Sequence, residues 1–315
     1  MTVSSAPIGG GPIGVSTLWQ PRSACGPGCR AQDDAAVAPW TAACRVLALA
    51  VVLVVGVLLA PVLGTLSGAA RAAVVRTLAR AALTVLGVRL LVRGRPARPG
   101  SLLVANHVSW LDVLVVLAAV PAQVVAKREV RDWPGIGALG SAAGAIFMDR
   151  SRPRALPATV AEVTAVLRAG TSVAAFPEGT TYCGIERRSD CGAGRGAFRP
   201  ALFQAAVDAG APVVPLAVAY RARGRETRAA AFVGDDTLWA SVRRVAAVRG
   251  LTVSLVGHPA LHPADGADRR VLARAAQATV GCSTHRKLSD KVQARPSAVD
   301  DDCRHGRDTD PGQAG

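Results

Sequence analysis

Aromatic side chains are scarce in this sequence: Phe, Trp and Tyr together make up 4% of its 315 residues. Proteins that bind single-stranded nucleic acid use such side chains as stacking platforms, and no nucleic-acid-binding motif is present. Acidic residues are also few, 22 against 37 Lys and Arg, which gives a net charge of +15. A charge of this sign suits a nucleic acid or an anionic membrane surface. We expect no nucleic-acid partner, and a long apolar segment favours the membrane.

Charged residues are absent from the 25 residues between Arg45 and Arg71, and 46–63 is nearly all apolar. About 20 apolar residues suffice for a helix to cross the ~30 Å hydrocarbon core of a bilayer. Pro61 interrupts the run, so a single span and a monotopic or re-entrant hairpin both remain open. A signal peptide is not expected, because about 40 residues precede the run without a short basic opening.

Acidic residues are absent again from Arg71 to Leu111, where the arginines are Arg71, Arg76, Arg80, Arg89, Arg93, Arg95 and Arg98. The positive-inside rule then places the following catalytic domain on the cytoplasmic face of the membrane. Residues 71–87 are expected to form an interfacial helix on anionic lipid, with a buried alanine-rich helix as the alternative.

A nucleophile motif of the Ser or Cys type is also missing, but a base is present in Asn106-His107-Val108-Ser109-Trp110-Leu111-Asp112. Neutral histidine suits proton abstraction near pH 7, and a carboxylate can fix its tautomer. Residues five apart on one helix point about 140° apart. His107 and Asp112 therefore meet only if His107 lies in a turn and Asp112 in the first helical turn, with Ser109 as N-cap. The alternative is that Asp112 only caps a helix.

Three further segments end apolar strands with polar residues: 144–150, 173–181 and 213–220. Predicted strands lie near 101–105, 123–126, 144–148, 172–176, 213–219 and 252–257. Predicted helices lie near 46–63, 71–87, 110–119, 155–169, 200–209, 237–248 and 267–280. This alternation predicts an α/β fold with a mixed, largely parallel sheet flanked by helices. The domain is preceded by an N-terminal membrane helix or helix hairpin, and ligands are expected where strand ends converge.

These segments together make the chain resemble the glycerolipid acyltransferases, the 1-acylglycerol-3-phosphate (lysophospholipid) acyltransferases and their relatives. The resemblance covers roughly residues 99–260 and depends on motifs that occur in the family's order. The motifs are Asn106-His107 with Asp112, the Lys-x-Glu…Pro-x-x-Gly segment from Lys127 to Gly137, Gly144 with Arg150, Phe176-Pro177-Glu178-Gly179-Thr180, and Val214-Pro215.

The resemblance implies a glycerol-3-phosphate acyltransferase-like domain that moves a fatty acyl group from acyl-CoA or acyl carrier protein to a lysophospholipid hydroxyl. No cofactor is expected beyond this acyl thioester, and 1-acylglycerol-3-phosphate is the first choice of acceptor, which would yield phosphatidate. His107 would be the general base and Asp112 its orienting carboxylate. The implied substrate-binding residues are Lys127, Arg150, Glu178, Gly179 and Thr180.

Other functions remain open. The acceptor could be a lyso-ornithine lipid or a glycolipid, or the protein could bind membrane lipid without catalysis. An intact His107 and Asp112 argue against the non-catalytic alternative, because binding alone needs no base.

The chain divides into four predicted regions: a disordered N-terminus at 1–40, membrane-anchoring helices at 41–98, a catalytic domain at 99–282 and a disordered tail at 283–315. The seven cysteines form no metal-binding pattern in the sequence, so no metal is expected. A cytosolic domain keeps cysteines reduced, and a zinc site or a disulfide across 183–191 is the less favoured alternative.

Overall fold

The computed structural model describes residues 23, 25–29, 34–94, 97–184, 196–264 and 266–285. The predicted disordered N-terminus at 1–40 falls mostly outside these residues, but its described part is ordered, because Cys25 and Cys29 are buried and a helix begins at Pro39. The predicted disordered tail lies outside the described residues beyond 285.

The strands are β1 Arg89–Gly94, β2 Leu102–Ala105, β3 Gln123–Lys127, β4 Ile146–Met148, β5 Val173–Ala175, β6 Val213–Ala222, β7 Arg225–Glu226 and β8 Leu251–Gly257. These eight strands form one sheet in the order β1-β8-β6-β2-β5-β3-β4, with β7 paired to β6. The five strands from β2 to β6 are mutually parallel, whereas β8 and β7 run antiparallel to β6 and β1 pairs in parallel with β8. The predicted mixed, largely parallel sheet is confirmed.

The elements follow the alternation expected from the sequence. The helices are α1 Pro39–Leu63, α2 Gly68–Val85, α3 Leu111–Ala119, α4 Ile136–Ala142, α5 Leu156–Arg168, α6 Phe203–Ala209, α7 Leu238–Ala247 and α8 Arg269–His285. Each predicted element is present with ends shifted by a few residues, and β1, β7 and α4 are additional.

Strand β2 lies in the middle of the sheet and is buried on both faces. Leu103 and Ala105 pack into a core with α2, α3 and part of the N-terminal segment. Leu102 and Val104 pack on the other face into a core with α5, α6 and α8. A fully buried Leu or Val stabilises a fold by about 1.5–3 kcal/mol relative to an exposed one. The uninterrupted apolar run of β2 is therefore what a strand buried on both faces requires.

Strand β1 was not predicted, because its residues fall in the arginine-rich segment assigned to membrane contact. It pairs with β8 over its full length, from Arg89 opposite Thr252 to Gly94 opposite Gly257. As an edge strand it is mostly exposed, with Leu91 and Val92 on the surface. An edge strand tolerates charged side chains, so its composition hid the strand pattern. The sheet therefore begins at Arg89, whereas the sequence placed the first strand near residue 101.

Helix α1 is the apolar segment, and by length and composition it can cross a membrane. It nevertheless packs along the domain, against α7, α4 and α2. Arg45 near its start donates hydrogen bonds to the carbonyl oxygens of Ala246 (2.9 Å) and Val248 (3.0 Å) at the end of α7. Gly56, further along, contacts Leu139 of α4. The opposite face is an exposed apolar stripe, formed by Leu47, Val51, Val54, Leu58 and Val62.

Helix α2 covers most of the predicted interfacial helix, and its contact with anionic lipid stays a prediction. It packs against α3 and α1 and buries Ala79, Ala82 and Leu83. Arg80 donates a hydrogen bond to the Ala118 carbonyl oxygen at the end of α3 (2.9 Å). The small alanine side chains let α2 approach its neighbours, as the alternative of a buried alanine-rich helix requires, but much of the helix stays exposed. Among its arginines, Arg80 is engaged with protein.

The carboxyl ends of four parallel strands meet at one edge of the sheet. They are followed by Asn106-His107 after β2, Arg128 after β3, Asp149-Arg150 after β4 and Phe176-Pro177-Glu178 after β5. Loops at the carboxyl ends of parallel strands are where α/β proteins bind ligands. This edge is the candidate site.

Candidate active site

His107 and Asp112 form a hydrogen-bonded pair. The turn after β2 carries His107, and Asp112 lies at the second position of α3, so the ring Nδ1 is 2.9 Å from Asp112 Oδ2. Asp112 is fully buried, whereas the His107 side chain is 20% exposed. Asp112 Oδ2 also accepts hydrogen bonds from the backbone N–H groups of Val108 (2.7 Å) and Ser109 (2.8 Å). The carboxylate thus acts as an acceptor, so Nδ1 carries the proton and Nε2 keeps the lone pair that a base needs.

The predicted capping role of Asp112 is half correct. Its carboxylate does bond the Ser109 N–H, as in a capping box. The helix, however, starts at Leu111 with Trp110 at the N-cap, and the Ser109 hydroxyl accepts from Leu111 N (3.3 Å). One carboxylate therefore both orders the helix start and orients the histidine.

Tyr220 on β6 completes the surroundings of Asp112 by donating its hydroxyl to Oδ1 (2.6 Å). Burial and the neighbouring charge of Asp112 raise the pKa of Tyr220 well above its usual value, so the hydroxyl stays protonated. Sequence reasoning gave Tyr220 only as the end of a strand, since nothing in its spacing shows that β6 lies beside β2.

Asn106 and Phe176 fix the position of the turn and of the ring. The Asn106 amide bonds both the Val218 carbonyl oxygen (2.9 Å) and the Val218 N–H (2.8 Å), which continues the pairing of β2 with β6 past the strand end. The Phe176 ring stacks on His107 with centroids 4.2 Å apart. The imidazole is thus held by Asp112 and by the Phe176 ring, and the turn that carries it is held by the contact of Asn106 with β6.

Glu178 is buried and contacts the histidine through the backbone. Its Oε2 accepts a hydrogen bond from the His107 N–H (2.8 Å). The sequence left open whether this carboxylate positions Arg150 or accepts from a substrate or a backbone N–H, and the backbone bond is what forms. Gly179 follows with φ +76°, where glycine is favoured, and the half-buried Thr180 lies next in the turn. A substrate contact for these three residues stays a prediction.

Arg150 reaches the same turn from β4 and donates a hydrogen bond to the Gly179 carbonyl oxygen. The alternative that it forms a surface pair with Asp149 is wrong. Asp149 bonds Arg128 (3.0 Å) and lies 3.6 Å from Arg152 instead. The Arg150 Nε is buried and has no hydrogen-bond partner among the described residues. A buried guanidinium N–H without an acceptor is costly, so this group suits an anionic ligand.

Two more basic residues surround Arg150. Burial, and after it the positive charge of Arg150, lower the pKa of Lys127. Burial also lowers the pKa of Arg150, to which the charge of Arg199 contributes, while Glu129 opposes the shift. Lys127 and Arg199 are thus each near enough to Arg150 to interact with its charge, and we call these three residues the basic cluster, with Glu129 as their acidic neighbour. Arg199 was missed, because it follows a Gly- and Arg-rich loop in which a single arginine has no distinguishing signal.

The loop at residues 227–233, which the sequence did not single out, supports both the His107 turn and the Glu178 turn. Phe232 N–H bonds the Val108 carbonyl oxygen (3.0 Å), and the Phe232 carbonyl oxygen accepts from the Thr181 hydroxyl. The Tyr182 N–H bonds the His107 carbonyl oxygen (2.8 Å). Arg244 on α7 holds the loop through the carbonyl oxygens of residues 229 and 231 (both 2.8 Å). The His107 turn and the Glu178 turn are therefore fastened together.

Three cysteines that are distant in sequence come together beside this loop. Cys25, Cys29 and Cys183 are buried, and their sulfur atoms all lie within 4.8 Å of one another. The Cys183 N–H points to the Cys25 sulfur at 3.4 Å. The side-chain hydrogen bond with Cys183 and burial raise the pKa of Cys25 to about 12, which makes it a poor nucleophile. The sequence showed no metal pattern, because Cys183 lies far along the chain from the other two.

A cavity of about 220 Å³ lies at the opposite end of β2 and β6, lined in part by Arg98, Ser101, His258 and His262. Since it is at the amino-terminal ends of these strands, it is separate from the His107 edge.

The chain is similar to known acyltransferases. The family described as Acyltransferase matches residues 89–219. The 1-acyl-sn-glycerol-3-phosphate acyltransferase of Neisseria gonorrhoeae is 35% identical over 56% of this chain and 68% of that protein. The lyso-ornithine lipid O-acyltransferase of Pseudomonas aeruginosa is 36% identical over 60% of this chain and 69% of that protein.

A solved structure shares the fold. The crystal structure of the 1-acyl-sn-glycerophosphate (LPA) acyltransferase PlsC from Thermotoga maritima covers 79% of this chain and all of that chain, with a TM-score of 0.55 and 18% identity. At that identity the likeness bears on the fold alone.

Proposed function

The chain belongs to the glycerolipid acyltransferase family, and from this premise we propose that it esterifies a phosphate-bearing lysolipid with His107 as the general base. The acyl donor is a fatty acyl thioester on CoA or on acyl carrier protein. The observation that carries the proposal is the pair of His107 and Asp112, in which Nδ1 donates to a buried carboxylate. This arrangement orients an imidazole for proton transfer without any protein nucleophile.

The reaction follows from this arrangement. Nε2 takes the proton of the lysolipid hydroxyl while the hydroxyl oxygen attacks the thioester carbonyl carbon. The tetrahedral intermediate collapses by breaking the carbon–sulfur bond, and the imidazolium returns the proton to the departing thiolate. The products are the ester and the thiol. Asp112 stabilises the imidazolium between the two proton transfers, because its charge is buried 2.9 Å from Nδ1.

The basic cluster of Lys127, Arg150 and Arg199 supports a phosphate on the acceptor. A guanidinium offers a planar set of donors that matches phosphate oxygens, and the buried Arg150 Nε has no acceptor among the described residues. The favoured acceptor is therefore 1-acylglycerol-3-phosphate. A lyso-ornithine lipid is the second candidate, because a relative named lyso-ornithine lipid O-acyltransferase is 36% identical to the chain, against 35% for a relative named 1-acyl-sn-glycerol-3-phosphate acyltransferase.

A substrate panel tests the acceptor. Purified full-length protein in detergent is given acyl-CoA or acylated acyl carrier protein as the donor. The acceptor is 1-acylglycerol-3-phosphate, its dephosphorylated monoacylglycerol, or a lyso-ornithine lipid. We expect the phosphate-bearing acceptor to give the highest kcat/KM and the monoacylglycerol to give little product. Preference for the lyso-ornithine lipid would replace the first candidate by the second, and no product with any of them would contradict the proposed function.

Arg150→Ala is expected to raise the KM for 1-acylglycerol-3-phosphate by about 10- to 100-fold, since a hydrogen bond to a charged group contributes about 1.5–3 kcal/mol. The KM for the acyl thioester should change little. Arg152→Ala is the matched control, because this neighbouring arginine is exposed and pairs only loosely with Asp149 at 3.6 Å. Initial rates with each substrate varied in turn provide the measurement. Equal effects of Arg150→Ala on both KM values would contradict a phosphate role.

We further propose that α1 lies in one leaflet rather than spanning the bilayer. Its packing against α7 at Arg45 and against α4 at Gly56 fastens it along the domain. The exposed stripe from Leu47 to Val62 then enters the lipid while the active site stays near the interface. The arginine-rich region after α1 suits the anionic lipid of the cytoplasmic leaflet, the side on which acyl-CoA and acyl carrier protein are available.

Replacing Leu47, Val54 and Leu58 together by Gln is expected to move the protein from the membrane fraction to the soluble fraction. Three such side chains contribute about 5 kcal/mol of lipid burial, a shift on the order of 10³-fold in partitioning. Wild-type protein should stay with the membrane after a high-salt wash, because burial of apolar surface is insensitive to screening. Val271→Gln on α8, equally exposed, is the control. Release of the wild type by salt would contradict the anchor.

A further inference from the structure

The cysteine group beside the active site has the composition of a zinc site. Cys25 and Cys29 have the close spacing seen between zinc ligands, and Cys183 supplies a third sulfur from a different part of the chain. Zinc–sulfur bonds of about 2.3 Å place the sulfurs of a tetrahedral site about 3.8 Å apart. The observed separations, all within 4.8 Å, need only a small contraction to reach this geometry.

The three cysteines lie between the N-terminal segment and the active-site turn, so a metal ion bound to them would have a structural role. Residues 25–29 form a short turn that precedes α1, and the backbone beside Gly234 packs against Cys25 and Gly26. Cys183 directly follows Tyr182, whose N–H bonds the His107 carbonyl oxygen. A cation bound to all three sulfurs would therefore fasten the N-terminal segment to the turn that carries Glu178 and Gly179.

We propose that Cys25, Cys29 and Cys183 bind a structural zinc ion that fixes the N-terminal segment against the active-site turn. Thiolates are soft ligands and select zinc over the hard cations magnesium and calcium. Binding replaces the three thiol protons by one cation, and a donor other than these three fills the fourth position, a water molecule in the simplest case. Three small apolar thiols packed in a core would also be buried together, so metal content decides between the two.

The test measures zinc bound to full-length protein, purified from zinc-supplemented cells with any affinity tag removed. Inductively coupled plasma mass spectrometry should find about one zinc per chain in the wild type and less than about 0.1 in Cys29→Ser and in Cys183→Ser. Cys44→Ser is the matched control, because Cys44 is an exposed cysteine outside the group. It should keep the metal of the wild type.

A second measurement uses wild-type protein only, so its outcome does not depend on whether the variants fold. Zinc is removed from wild-type protein under reducing conditions, and Co²⁺ is added as a visible probe. We expect a saturable sulfur-to-cobalt charge-transfer band at one equivalent, abolished by added Zn²⁺. Wild-type protein without zinc that gives no such band, or zinc content unchanged in both serine variants, would overturn the proposal. So would a mass two hydrogens lower that shows a disulfide between two of these cysteines. None of these readings depends on acyltransferase activity.

Discussion

His107→Ala lowers kcat for acyl transfer by about 10²–10⁴-fold, the contribution that a positioned general base makes. The physical reason is that Nε2 is the atom left to accept a proton once Nδ1 is bonded to Asp112. The KM values should change much less, because the acceptor's phosphate is assigned to Arg150 and its neighbours. Steady-state rates of ester formation with both substrates varied provide the measurement.

The control for this substitution is His262→Ala. His262 is exposed and lies at the cavity on the far edge of the sheet, so its loss should leave kcat unchanged. Thermal unfolding should show that the His107 variant remains folded, since the side chain is partly exposed and packs mainly on Phe176. A folded His107→Ala protein with wild-type kcat would contradict the assignment of the base.

Asp112→Asn is expected to reduce kcat by about 10²-fold or more and also to destabilise the fold. Asp112 Oδ2 accepts from three N–H groups and Oδ1 accepts from Tyr220. An asparagine amide has one acceptor oxygen and one NH₂ donor. If the NH₂ takes the place of Oδ2, it faces three N–H donors. If it takes the place of Oδ1, it faces the Tyr220 hydroxyl, which then has to accept instead of donate. An unsatisfied buried donor costs about 1–3 kcal/mol. The charge that stabilises the imidazolium is lost as well.

Comparison of kcat with stability separates the two roles of Asp112. Activity is measured at a temperature where circular dichroism shows the variant fully folded, and stability is measured by urea unfolding. A variant that loses about 1 kcal/mol of stability and keeps its kcat would reduce Asp112 to a helix cap. Ser109→Ala is a matched control for capping, because it removes the hydroxyl bonded to Leu111 and leaves the carboxylate in place. It should affect stability more than kcat.

The sequence predicted those strands and helices whose hydrophobic pattern directly reflects their burial. β2 was visible because burial on both faces demands an unbroken apolar run, and the polar residues at 106–107 marked its end. β1 was hidden because an edge strand tolerates arginine, and charge dominated the interpretation of that segment. The helix near Asp112 begins at Leu111, one residue later than predicted, and the carboxylate serves the histidine as well as the helix start.

Sequence patterns could not predict the contacts between segments that are distant along the chain. Tyr220 meets Asp112 only because β6 pairs with β2, which no local spacing reveals. Arg199 joins Arg150 across a loop, and Cys183 joins Cys25 across most of the domain. The motifs therefore located His107, Asp112 and Arg150, whereas the groups that complete the site depended on the order of strands in the sheet.

The central claim is that the protein transfers an acyl group to a lysolipid hydroxyl by direct base catalysis. The most direct measurement quantifies free CoA and newly formed phosphatidate in the same sample, from acyl-CoA and 1-acylglycerol-3-phosphate, with purified full-length protein. We expect the two products in equal amounts, no CoA release without the acceptor, and loss of both products in His107→Ala. CoA released without the acceptor, or phosphatidate formed at the wild-type rate by His107→Ala, would contradict the account.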